Sequence, residues 1–151
     1  MSDAAGPQDE NFHATAVAVG DLGVMIIGPS GSGKSALALE LIGMGAALIA
    51  DDLTHVAPQP EGPLLSAPDR LRGVIEARGV GLIQVPWQAS ARLSLVVNMG
   101  EIELERLPHS PHQTTVAGMP IDTLYRVDAP YFACAIYNLL RYGRYMDAAA
   151  G

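Results

Sequence analysis

The chain has 151 residues, 16 of them acidic against 9 Lys plus Arg, giving a formal net charge of −7, and it contains a single cysteine. One domain is the default at this length, and a hydrophobic content of 49% excludes global disorder. The acidic balance argues against nucleic acid or an anionic membrane as partner. One cysteine rules out an internal disulfide and suits a reducing cytoplasm, and no apolar run approaches the roughly 18 residues that a membrane-spanning helix needs.

Residues 1–11 are polar and acidic, without the positive start and apolar core of a secretory signal, and are expected to form a disordered tail. A domain is expected over 12–146, with 147–151 as a disordered C-terminus. The first structured element is expected over His13 to Val19, followed by a turn at Gly20-Asp21. Gly23-Val24-Met25-Ile26-Ile27 is a continuous apolar run of the kind found in buried parallel strands. It leads directly into Gly28-Pro29-Ser30-Gly31-Ser32-Gly33-Lys34-Ser35, which fits the phosphate-binding pattern G-x-x-x-x-G-K-[ST] without substitution. Each residue type has a physical task there. Glycines let bare backbone amides approach a phosphate, and the helix that follows offers unpaired N–H groups and the positive end of its dipole. Lys34 can reach the β- and γ-phosphates of ATP, and the Ser35 hydroxyl can ligate Mg²⁺.

The helix predicted over Ser35–Gly43 is apolar except for Glu40, which should face solvent, and Gly43 and Gly45 should end it. Ala47–Asp51 reads as a second buried strand, completing a βαβ unit. Leu53 to Leu71 holds Pro58, Pro60, Pro63 and Pro68, so short edge strands and turns are expected. Ile75 to Val85 alternates in part, and Leu93–Asn98 is another apolar strand. Ile102 to Leu107 reads as a helical turn or two, Pro108–Gln113 as a loop, and Thr114–Val127 as one or two strands about Gly118-Met119-Pro120. A last helix should follow Asp128, with Pro130 in its first turn and Phe132, Ile136, Leu139 and Leu140 buried. Cys134 on that helix is read as core filler, Trp87 as packing, and His109 and His112 as loop residues, while His55 carries no assigned role.

Asp51-Asp52 closes the second strand at the sheet edge that carries the phosphate loop, where ligands of parallel sheets bind. An acidic residue there can hold Mg²⁺ or accept a proton, and because adjacent carboxylates on a strand point to opposite faces, the two should do different work. The short spacing from phosphate loop to acid pair sets this chain apart from phosphate-loop enzymes whose acidic motif comes much later.

From Gly23 to Asp52 the chain resembles the core of the HPr kinase/phosphorylase family, bacterial enzymes that phosphorylate a serine of the phosphocarrier HPr or of its nitrogen-branch relative. Ile75-Glu76-Ala77-Arg78-Gly79-Val80-Gly81-Leu82-Ile83-Gln84 is similar to a second signature of that family, with Gln84 where an Asp is usual. The resemblance implies an α/β fold with a P-loop kinase core, flanking β-strands and a C-terminal helix. It implies Asp52 as general base, His13 as its assistant, and Lys34 and Arg106 on the reacting phosphates. It also implies Glu76 beside Ser35 on Mg²⁺, with Asp51 a further metal or water ligand. The resemblance is expected to be to the short alphaproteobacterial form, which lacks the long N-terminal domain of other members. Leu124 to Pro130 matches poorly the family loop tied to phosphate removal, which leaves the phosphorylase reaction open. A homo-hexamer is one assembly the resemblance suggests. Two other readings stand beside the kinase: a small-molecule kinase, disfavoured by the lack of an arginine-rich lid, and a non-catalytic ATP-binding sensor.

Overall fold

The computed structural model describes residues 8–68 and 72–145. Residues 1–7, 69–71 and 146–151 fall outside that description, and with them most of the expected N-terminal tail and all of the expected C-terminal one. The boundary of the tail is corrected: Glu10–Phe12 already form a strand, β1, so residues 10 and 11 are not disordered. His55 explains why. Its ring nitrogens meet Asn11 Oδ1 at 3.0 Å and Asp9 Oδ2 at 3.1 Å, fastening the chain start to the strand of Thr54–Ala57.

The elements follow as β2 (Thr15–Val19), β3 (Leu22–Ile27), α1 (Lys34–Gly43), β4 (Ala47–Ala50), β5 (Thr54–Ala57), β6 (Leu64–Ser66), β7 (Val74–Ala77), β8 (Gly81–Gln84), β9 (Ser90–Ile102), β10 (His112–Val116), β11 (Met119–Arg126) and α2 (Phe132–Tyr142). Nine strands form one sheet in the order β1-β5-β6-β9-β3-β2-β4, with β11 joined to β9 and β10 to β11. β7 and β8 form a separate hairpin. The fold is α/β, as read from the sequence, but β3 and β4 are not neighbours. β2 lies between them, antiparallel to both. A strand of alternating Val and Ala, buried throughout, fits that central place.

β3, β9 and β11 run parallel, so their C-terminal ends share one sheet edge. β9 is longer than expected because its other edge serves two partners, β6 at its start and β11 further on. That pairing overrides the helical turn expected over Ile102 to Leu107: Ile102 pairs with Arg126, and the residues after it are irregular. β5 and β6 are interior rather than edge strands, since β5 lies between β1 and β6, and β6 between β5 and β9.

Period-two alternation divides the core in two. Val17, Val24, Ile26, Leu48 and Val97 face α1 and α2, where they pack on Leu37, Leu41, Phe132 and Ile136. Ala16, Ala18, Met25 and Val96 face the other way and pack with Val56, Leu65, Val116 and Ile121 from the two arms of the sheet. The sheet therefore curls over its own alanine-rich face. A hydrogen bond from the Ala117 N–H to Glu10 Oε1 (3.2 Å) ties the arms together. Each fully buried aliphatic side chain in these clusters contributes about 1.5–3 kcal/mol relative to exposure.

α2 begins at Phe132, with Pro130 in the turn before it rather than in its first turn. Its buried residues are Phe132, Ala133 and Ile136, with Leu139 and Leu140 partly buried. Cys134 lies off that stripe and is exposed, which corrects its reading as core filler. Trp87 is 51% exposed, yet its ring closes on Gly73, where an added Cβ would stand 2.5 Å from Trp87 Cδ1.

The close approach of β3, β6 and β9 depends on Gly23. A Cβ there would lie 2.9 Å from both the Arg92 carbonyl oxygen and Leu65 Cδ1. Gly23→Ala is expected to destabilise the fold by about 1–3 kcal/mol, from overpacking against backbone that cannot yield. Thermal unfolding should show a midpoint lowered by about 3–8 °C.

Candidate functional site

The apolar β3 ends at Ile27, and the chain turns sharply into the phosphate loop. Gly28 sits at φ 146, where an added Cβ would meet Ser32 Oγ at 2.7 Å and the Gly100 N–H at 3.1 Å. The floor of the loop is therefore the backbone of β9 at Met99-Gly100, and only glycine fits upon it. Ser32 N–H donates to the Pro29 carbonyl (3.1 Å), closing the turn, and Gly33 in a left-handed conformation precedes the first residue of α1. Lys34 Nζ folds back over the loop and donates to the carbonyls of Gly28 (2.8 Å) and Pro29 (3.2 Å).

Asp51 is the acid that the fold delivers to this loop. Its Oδ1 accepts from the Ser35 hydroxyl at 2.7 Å and from the Thr15 hydroxyl at 3.1 Å. Its Oδ2 lies 3.4 Å from the Glu76 backbone N–H, which brings the β7–β8 hairpin to the same place. Asp51 and Asp52 follow β4 in a bend rather than continuing the strand. Their side chains part because Asp52 adopts φ 73, a left-handed conformation that Asp tolerates better than most residues. The Asp52 N–H approaches Thr15 Oγ1 at 3.3 Å, while its exposed carboxylate makes no hydrogen bond or ion pair among the described residues. Thr15 is the member of this group that the sequence did not single out. A lone hydroxyl in the otherwise apolar Thr15–Val19 run was the available signal.

His13 lies exposed in the bend between β1 and β2. The backbone on either side of it runs beside that of residues 52–54: Phe12 pairs with Thr54, and Thr54 Oγ1 donates to the Ala14 carbonyl at 2.8 Å. Glu76 joins the site through its backbone, with an exposed side chain on β7. Arg106 falls elsewhere. It lines a groove between α2 and the irregular segment after β9, together with His109, Tyr125 and Leu139.

No three His, Cys, Asp or Glu side chains converge as a metal cage among the described residues. The pair Ser35 Oγ and Asp51 Oδ1 does fit Mg²⁺, which takes hard oxygen ligands, is bound through one or two carboxylates, and keeps waters and substrate phosphates for the rest.

A profile described as the HPr Serine kinase C-terminal domain matches residues 7–127. The chain belongs to that family. The HPr kinase/phosphorylase of Leptothrix cholodnii is 34% identical over 122 residues, covering 72% of this chain and 38% of that protein. Its counterpart in Bacillus cytotoxicus is 40% identical over 95 residues, covering 58% of this chain and 31% of the relative. The chain thus spans well under half the length of the relatives it matches. The structure of the Hpr(Ser) kinase/phosphatase from Coxiella burnetii superposes with a TM-score of 0.73 at 23% identity, covering 87% of this chain and 88% of that one, and shows a shared fold. No helix among the described residues is long and apolar enough to cross a membrane.

The segment that carries Arg106 is clamped at both ends. Glu103 accepts the N–H groups of Leu104 and Glu105 (3.1 Å each), and its Oε1 meets His112 Nε2 at 2.8 Å. His112 stacks on Tyr125 with ring centroids 3.7 Å apart. His112 is thus the first residue of β10 and a structural partner, not a loop residue. The Glu105 N–H, followed by His112, holds the Glu103 carboxyl below its ordinary value of 4.5. A carboxyl with a lowered folded pKa stabilises the fold above its unfolded value and loses that contribution as pH falls through the folded one. The Glu103 carboxyl carbon should titrate by NMR with a midpoint below 4.5, and His112→Gln should move that midpoint upward.

Proposed function

We propose that this chain is an ATP-dependent protein serine kinase of the cytoplasm, acting on an HPr-type phosphocarrier, either HPr or its nitrogen-branch relative. The observation that carries the reading is the 2.7 Å hydrogen bond between Ser35 and Asp51. It brings the end of β4 to the phosphate loop, and the next carboxylate, Asp52, makes no hydrogen bond or ion pair among the described residues. Family membership supplies the substrate class.

In the step proposed, the γ-phosphoryl of ATP lies over the Gly28–Ser35 amides and Lys34. Asp52 takes the proton of the incoming serine hydroxyl as its oxygen bonds to the γ-phosphorus. The bond from that phosphorus to the β–γ bridging oxygen breaks, and ADP leaves. His13, whose backbone neighbours run beside Asp52, steadies the protonated acid. Mg²⁺ held by Ser35 and Asp51, with Glu76 as a further ligand, would neutralise charge on the β- and γ-phosphates. Such a transition state is loose, so positioning and charge stabilisation dominate over base strength. Arg106 would join the reacting phosphates only after a movement of its clamped segment or a contribution from a second copy of the chain. The reverse, phosphorylase, direction would use Asp52 as the matching acid or base.

The test is transfer of labelled phosphate from ATP to purified HPr-type proteins, comparing the natural chain with Asp52→Asn and Lys34→Ala. Labelled serine on one of them, lost in both variants, is the expected outcome. Labelling of a metabolite alone would replace this reading with a small-molecule kinase, and nucleotide binding without transfer would replace it with a sensor.

A further inference from the structure

Thr15 carries no charge and belongs to no motif, yet its hydroxyl joins the two acids of the site. Thr15, Thr54 and Thr123 are the buried polar residues among those described. Thr54 Oγ1 donates to the Ala14 carbonyl at 2.8 Å and Thr123 Oγ1 to the Ile121 carbonyl at 3.0 Å, so both serve the backbone. Thr15 Oγ1 instead donates to a carboxylate, Asp51 Oδ1, at 3.1 Å, and it accepts from the Asp52 N–H at 3.3 Å. A hydroxyl has one hydrogen to give, and an amide N–H can only donate, so the Thr15 hydrogen is left for Asp51. The bonds therefore run in one direction, from the Asp52 backbone through Thr15 Oγ1 to the Asp51 carboxylate, and each polarises the next.

The sheet brings this about by an irregularity. Where β2 pairs with β4, Val17 lies opposite Leu48 but Ala16 lies opposite Ala50, which leaves Ile49 as an extra residue in β4. Bulges of this kind re-aim side chains beside active sites. Carried one residue further, the shift sets Thr15 against Asp51 rather than Ala50. On its other side Thr15 pairs with Ile26, two residues before Gly28 opens the phosphate loop. Alternation gives it the same face as Val17 and Val19, which pack toward α1. Ser35 on α1 reaches the same Asp51 oxygen at 2.7 Å. Asp52 then turns left-handed at φ 73, a conformation that costs energy in a residue with a Cβ and lasts only where its surroundings enforce it. The bond from its N–H to Thr15 is part of that enforcement.

We infer that Thr15 is a positioning residue for phosphoryl transfer. Its hydroxyl couples the Asp51 carboxylate, on the metal side of the site, to the backbone turn that directs Asp52 toward the acceptor. The inference rests on the kinase reading given above and adds to it a residue that touches neither ATP nor acceptor. Thr15→Val is the decisive change, because it removes the hydroxyl and keeps the shape.

Thr15→Val should lower kcat for transfer to an HPr-type acceptor by about 10–100-fold, the cost of a misplaced reacting group, with KM for ATP within about threefold. Thr15→Ser, which keeps the hydroxyl, should restore kcat to within about threefold of the natural chain. In the Asp52→Asn background the loss caused by Thr15→Val should shrink to about twofold or less, because the group being positioned is already disabled. A readout without nucleotide accompanies these. Solvent exchange of the Asp52 amide, followed by NMR on the full chain, should quicken at least about fivefold in Thr15→Val and return in Thr15→Ser. Should Thr15→Val fail to fold, Thr15→Ala carries the same comparisons on a strand already rich in alanine. Transfer by the folded variant within about twofold of the natural chain, a loss undiminished in the Asp52→Asn background, a loss that serine does not restore, or an unchanged Asp52 amide would each overturn the role given to Thr15 and leave the kinase reading standing. A natural chain that labels no HPr-type protein would remove the kinase reading, and the positioning role with it.

Discussion

Asp52→Asn is expected to lower phosphoryl transfer to an HPr-type acceptor by about 10³-fold, the middle of the range for loss of a positioned base, while leaving nucleotide affinity within about twofold. The substitution keeps shape and removes only the capacity to hold a proton. Nothing in the fold opposes it. The Asp52 carboxylate is exposed and unpaired among the described residues, and Asn adopts φ 73 at least as readily as Asp does. The bond from the Asp52 N–H to Thr15 Oγ1 belongs to the backbone and survives. A stable protein that still binds ATP but has stopped transferring is therefore the diagnostic result. Single-turnover transfer with ATP in excess, beside calorimetric ATP binding, measures both halves. Transfer retained within tenfold would take Asp52 out of the base role. Asp51→Asn probes a different function, since its carboxylate gathers Ser35, Thr15 and Glu76. It should shift the Mg²⁺ dependence of transfer, a signature that Asp52→Asn lacks.

The parts of this site that were legible in the sequence are those fixed by local rules. The phosphate loop is contiguous, its glycines are set by backbone geometry, and a buried strand before it and an apolar helix after it are short-range patterns. The same holds for Asp51-Asp52 at the end of a strand. What was not legible depends on partners distant in the chain. Nothing in Thr15 announces that β2 will insert between β3 and β4 and place that hydroxyl on Asp51, 36 residues later. The irregular path after Ile102 was misread as helical because its pattern suits either state, and pairing with Arg126 on β11 decided it. Cys134 was misread because the width of a helix's buried face is set by what packs on it, and here it spans Phe132, Ala133 and Ile136. The left-handed turn at Asp52 likewise had no signal, being imposed by the bonds that hold the neighbouring Asp51 in place.

Lys34→Ala should act on the other half of the reaction and abolish both tight triphosphate binding and transfer, the latter by about 10³-fold or more. The Lys34 ammonium bonds two carbonyls of its own loop, Gly28 at 2.8 Å and Pro29 at 3.2 Å, which holds it over the cradle in advance of any ligand. Exchanging those neutral carbonyls for phosphate oxygens replaces ordinary hydrogen bonds by charge-assisted ones, roughly twice as strong. The gain grows as negative charge gathers on the transferring group, so removal of the amine costs more in the rate than in ground-state binding. The fold should notice little, because Lys34 is only partly buried and the carbonyls it leaves lie where water can reach them. Its thermal midpoint should fall by no more than about 2–4 °C, the equivalent of one modest hydrogen bond in a domain of this size. Lys34→Arg should not restore activity, since a planar fork cannot enter a cradle shaped for a compact point charge. The two variants then divide the reaction cleanly: Asp52→Asn binds and does not transfer, while Lys34→Ala does neither. A Lys34→Ala protein that held ATP at the natural affinity and still labelled its acceptor would show that the nucleotide sits somewhere other than the Gly28–Ser35 loop.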